Sequence, residues 1–312
     1  MKRFIITLAL LASCAHPKKP EESVSSLPDK EDLSALLEKR DAILERFKAF
    51  NVEAGYVVSR NPAGDIEHTG DSVLWTGLAL TALPCEQGAA IYDQLRNDIL
   101  RRGGLIARWA ADPNPSHPSS RDQVRGVMLA LVSRAKRCGD IESAREVWRT
   151  HMRYVADNNG GLFPGANPGY QVTDAFMWPW SVVGEYLGIQ PATGSKFVFE
   201  AAMSSTAAAI LVQKSAGYPI HLATLDAILA SEVGKPISKL GYEALCAASS
   251  GADLGLTEWY CRRKTALELL TAWKQDEYEY RWQRAAWETP DGDGHTTPGV
   301  DFILLYSLAS RQ

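Results

Sequence analysis

Four aspartates open apolar stretches along this chain, at Asp71, Asp122, Asp174 and Asp301. The first begins Asp-Ser-Val-Leu-Trp-Thr-Gly, and the second sits in Ser-Ser-Arg-Asp-Gln-Val-Arg-Gly. Asp122 lies 51 residues after Asp71, and Asp174 follows 52 residues later. Two carboxylates at the same end of neighbouring helices can divide acid and base work. Burial or a like-charged neighbour keeps one protonated while the other stays ionised. Asp71 and Asp122 are the candidate catalytic pair. Capping is the competing explanation, because an Asp oxygen at a helix start accepts an unpaired backbone N–H and offsets the dipole. An Asp at every start is what capping alone would produce.

Other groups near these starts could bind a ligand. Arg121 and Arg125 flank Asp122 and could hold a substrate carboxylate bidentately, or simply pair with the aspartates. Trp75 follows Asp71, and Trp178 follows Asp174; both offer flat aromatic faces to a ligand or to a core. His221 opens a further apolar stretch, as a general acid/base or as a hydrogen-bonded structural residue. The run Asp291-Gly292-Asp293-Gly294 lacks the oxygen positions and terminal Glu of a calcium loop and reads as a turn. No Cys/His spacing suits zinc, and there is no phosphate loop, dinucleotide fingerprint or Gly-x-Ser-x-Gly elbow. The expectation is a site without metal or cofactor.

The elements that must position these residues alternate in character. The spacing predicts a one-sided helix over residues 30–50, then a small β-hairpin near residues 55–68 that turns at residues 61–65. An almost wholly apolar helix follows over 73–83, and an amphipathic one over 91–110. The alternation repeats with 124–135, 141–156, 175–187, 196–213 and 221–230. Helices are also expected over 237–249 and 256–273, and a last apolar one over 300–308. Helix pairs at a fixed period with a buried inner member point to a closed toroid or a solenoid of helical hairpins. The loops feeding the inner helices then gather on one face. Five to six hairpins are expected in one domain over residues 30–312, less regular in the C-terminal third.

At 46% hydrophobic and 22% charged, the chain suits a globular domain with a real core. A net charge of −4 without a long basic run argues against nucleic acid as a partner. Met1-Lys2-Arg3, the apolar residues 4–12 and the ending Leu11-Ala12-Ser13-Cys14 closely resemble a bacterial lipoprotein signal. That resemblance implies removal of residues 1–13 and a lipid anchor on Cys14. Ala15 after it resembles outer-membrane sorting, and residues 14–29 read as a flexible tether. The remaining cysteines are Cys85, Cys138, Cys246 and Cys261. Cys85 lies 14 residues after Asp71, and Cys138 lies 16 after Asp122. On parallel neighbouring helices the two would meet, so Cys85–Cys138 and Cys246–Cys261 are the expected disulfides; four buried free thiols are the alternative.

On Asp71-Ser72-Val73-Leu74-Trp75-Thr76-Gly77-Leu78 and Ser120-Arg121-Asp122-Gln123 with Gly126, the chain resembles the six-hairpin glycosidase-like superfamily. The resemblance implies an all-α, (α/α)6 toroid and a hydrolase or related enzyme of glycans. Asp71 and Asp122 would then supply the proton donor and the second carboxylate of glycoside cleavage. Trp75, Arg121, Arg125, Asp174, Trp178 and His221 would line the substrate site. A non-catalytic carbohydrate-binding or scaffold protein of the envelope is the other expectation.

Overall fold

The computed structural model describes residues 30–50, 52–60, 63–67, 71–108, 118–167, 170–172, 174–189, 217–235, 237, 239–248, 255–261 and 300–311. Its helices are α1 (Lys30–Phe50), α2 (Ser72–Ala82), α3 (Cys85–Arg101), α4 (Arg121–Cys138), α5 (Ile141–Asp157), α6 (Asp174–Tyr186), α7 (Gly217–Glu232), α8 (Lys239–Ala248), α9 (Gly255–Tyr260) and α10 (Val300–Ala309). Short strands β1 (Val52–Glu53), β2 (Tyr56–Val57), β3 (Ser59–Arg60) and β4 (Ile66–Glu67) lie between α1 and α2. The lipoprotein-like N-terminus with Cys14, the expected helix at 196–213 and the Gly/Asp turn at 291–294 lie outside the described residues.

Sequence character decides which helices go inside. All eleven residues of α2 are buried, as an apolar surface on every side requires. In α3 the buried residues Ile91, Tyr92, Leu95, Asp98 and Ile99 fall on one stripe, so this helix lies outside. It starts earlier than the expected residue 91 and stops at Arg101, not at 110. Gly103 and Gly104 take φ of 65° and 110°, and the Gly104 N–H reaches back to the Ile99 carbonyl at 2.8 Å. That left-handed turn ends a helix.

Helix α2 lies along α4 on one side and against α10 on the other. Helix α4 also meets α5, α6 and α7, while α3 packs on α5 and α1 on α10. One continuous apolar core runs from Leu36 in α1 to Leu308 in α10.

The strand region differs from the single hairpin expected. Strand β2 pairs backwards with β1, and the return strand β4 pairs with β3. The missed turn is Ala54-Gly55, with φ of 49° and 80°, the positive pair that a two-residue hairpin needs. An Ala in that position carries no turn signal. Disulfides join Cys85 to Cys138 and Cys246 to Cys261. The first fastens the start of α3 to the end of α4. In the second, Cys261 stands in a turn after α9 rather than inside a longer helix. Among the described residues, no helix is long and apolar enough to cross a membrane.

Candidate active site

The glycine in each Asp-bearing motif lets α2 and α4 touch backbone to backbone. A Cβ on Gly77 would come within 2.1 Å of the Gly126 carbonyl oxygen, and one on Gly126 within 2.8 Å of the Leu74 Cα. Only glycine fits at such a crossing. The close approach brings the amino ends of the two helices, and with them Asp71 and Asp122, side by side.

Gln123 joins the two carboxylates. Its Nε2 donates to Asp71 Oδ1 at 3.2 Å and to Asp122 Oδ2 at 3.3 Å. Its Oε1 accepts the Leu74 backbone N–H at 3.0 Å. That last bond settles the orientation of the amide, since only the oxygen can accept a backbone N–H. The two amide protons are then left for one oxygen of each carboxylate. Gln123 is fully buried and Asp122 nearly so, whereas the Asp71 side chain keeps 20% of its surface exposed.

Neither aspartate caps its helix. Asp71 occupies the cap position of α2 but makes no capping hydrogen bond. At α4 the cap position belongs to Ser120, with Asp122 inside the first turn. The Ser120 hydroxyl donates to Asp122 Oδ1. Arg108 stands on the other side, its Nη1 3.9 Å from Asp71 Oδ1. The Val73 N–H donates to the Arg108 carbonyl at 3.2 Å, and the Arg108 N–H to the Pro118 carbonyl at 2.9 Å. Ser120, Gln123 and Arg108 complete the cluster and were not among the expected site residues. Gln123 was open to recognition, as the residue directly after the Asp in the second motif. Nothing in the sequence links Arg108 to Asp71.

The other expected ligand residues are dispersed. Trp75 is wholly enclosed in the core, and its Nε1 has no hydrogen-bond partner among the described residues. Its ring packs inside the core, as the burial of all of α2 requires. Arg125 grips Asp226 of α7 with two bonds of 2.7 and 2.8 Å, both residues being buried. Burial pushes the Asp226 carboxyl up, and the Arg125 guanidinium opposes that shift. The fork of Arg125 thus joins α4 to α7 rather than facing a substrate. Arg121 donates through Nε to the Gln171 carbonyl at 3.0 Å. Asp174 and Trp178 fall on α6 and His221 on α7, with their side chains outside the described part of the structure.

One histidine that the sequence did not single out is buried deep between α5 and its neighbours. His151 Nδ1 lies 2.8 Å from the Gly104 carbonyl, so Nδ1 carries the proton and donates. Trp148 and Trp180 surround the ring, and burial lowers its pKa to about 4. It is a neutral, structural residue. Among the described residues, no group of three His, Cys, Asp or Glu side chains could hold a metal ion.

Comparison with protein-family models, curated proteins and solved structures finds no match to this chain.

Proposed function

We propose that this protein is a cell-envelope lipoprotein, anchored through Cys14, whose helical domain is an (α/α)6 toroid that hydrolyses or processes a glycan. Asp71 and Asp122 are its acid–base pair. The observation carrying this reading is the Gln123 amide, which holds one oxygen from each carboxylate while neither carboxylate caps its helix. Capping, the plainest reason for these aspartates, leaves that arrangement unexplained. Two carboxylates brought together are a common means of dividing acid and base roles. The two carboxylate oxygens that share the Gln123 nitrogen are at most two hydrogen-bond lengths apart, near enough for both groups to reach one substrate. Asp71, the more exposed, is the group a substrate meets first, and Asp122 stands behind it. The contact of α10 with α2 supports ring closure, since it joins the last inner helix to the first. The N-terminal resemblance to a lipoprotein signal supports the anchor and the outer-membrane location.

A second reading has its own support. Asp122 is only 3% exposed and Trp75 is enclosed, which suits an envelope carbohydrate-binding or scaffold protein without catalysis. A screen of the purified protein against envelope and plant glycans, following new reducing ends, separates the two. Turnover supports the enzyme; binding without turnover under every condition supports the second reading and sinks the first.

A further inference from the structure

At the opposite, carboxyl ends of α2 and α4 there is a cavity of about 540 Å³, within the range of small-molecule sites. Leu44, Ile303 and Tyr306 give it apolar lining, and Arg137 and Arg311 bring two guanidinium groups to it. Four cationic side chains line the cavity against two acidic ones. The acidic pair, Asp41 and Glu45, is engaged by Arg40 and Lys48 in exposed ion pairs on α1. Such pairs contribute little.

The two inner arginines have a structural task. Arg137 donates through Nε to Ser133 Oγ, and through Nη2 to the Leu80, Thr81 and Leu83 carbonyls at 3.2, 2.7 and 3.4 Å. Arg311 Nη2 donates to the Thr81 carbonyl and Ser307 Oγ, both at 2.6 Å. These bonds satisfy the open carbonyls at the end of α2. They leave the Nη1 group of Arg137 without an acceptor among the described residues. The nearby carboxylate, Glu232, is shared by Lys136 at 3.2 Å and Arg311 at 3.4 Å. Among the described residues, positive charge at this end therefore exceeds what the helix terminus and Glu232 neutralise. Burial first, and Arg311 beside it second, lower the Arg137 pKa to about 10.

We propose that this cavity binds a small amphiphilic oxyanion, with its carboxylate or phosphate head on Arg137 and a short apolar tail against Leu44, Ile303 and Tyr306. The site is separate from the Asp71–Asp122 pair and does not depend on the function proposed for it. Calorimetry on the full chain tests it with decanoate, decyl phosphate, decanol, acetate and inorganic phosphate. At least one charged decyl probe should bind about tenfold tighter than decanol, and about tenfold tighter than its own headgroup alone. Leu44→Trp, which fills the cavity, and Lys48→Glu, which reverses a charge on its lining, should each weaken that probe about tenfold. Both leave the capping bonds of Arg137 in place. Arg137→Gln should abolish binding, with thermal unfolding run alongside to show that the variant is folded. The proposal is overturned if decanol or a bare headgroup binds as tightly as the charged decyl probes. It is overturned equally if none of the probes binds, or if Leu44→Trp and Lys48→Glu bind like the parent.

Discussion

At their amino ends α2 and α4 are joined by one neutral side chain; at their carboxyl ends guanidinium groups hold them, and a disulfide ties α4 to the neighbouring α3. The amino end sets two carboxylates around the Gln123 amide, with Ser120 and Arg108 in support. At the carboxyl end, Arg137 and Arg311 cap α2 while Cys85–Cys138 fastens the end of α4 to the start of α3. Between the ends lies the backbone contact at Gly77 and Gly126. The two ends are thus held by different means. The carboxyl end is over-determined, and the amino end keeps like charges together through a few hydrogen bonds.

The largest effect should come from the disulfide. Replacing Cys85 and Cys138 by Ser opens a link across 53 residues, a loss of about 4 kcal/mol in urea unfolding. A loss no larger than that from Gln123 would break the contrast between the ends. Gly77→Ala should cost about 3 kcal/mol, because its methyl meets backbone that cannot yield. This substitution parts the helices at their crossing, so it should also weaken whatever binds at either end.

Acid provides a control that belongs to neither end. His151 is buried and neutral, with its pKa lowered to about 4 from an ordinary 6.5. Its contribution is complete above pH 6.5 and is lost as pH falls towards 4, because the unfolded chain takes up the proton first. The loss should be on the order of 3 kcal/mol, seen as a falling urea midpoint that His151→Phe flattens. Gln123→Leu should have the smallest effect on stability, about 2 kcal/mol, from an unpaired Leu74 N–H and two carboxylates without their shared donor. If it proves neutral, the amide is not what holds the amino end.

The parts legible in the sequence were those governed by periodicity. Apolar surface all round α2 and a single stripe on α3 place one inside and one outside, and the repeat brings Cys85 to Cys138. The Asp–Gly pattern marked a helix pair that does lie side by side, and its glycines are a packing contact. What the sequence hid was side-chain direction. Trp75 and Arg125 look like ligand groups by type, yet one is enclosed and the other holds Asp226 from a helix 101 residues away. Arg108 reaches Asp71 through a loop whose path no periodic signal describes. The basic cavity escaped for the same reason, since its lining comes from α1, the end of α2, the start of α3, α4 and the end of the chain around α10.

The most direct test of the central claim is a kinetic cycle of Asp71→Asn, Asp122→Asn and the double variant on a glycan that the parent protein cleaves. A pair acting as one unit predicts that each single substitution lowers kcat by about a thousandfold or more, and that the double variant falls little further. Cleavage that survives both substitutions together would contradict the assignment.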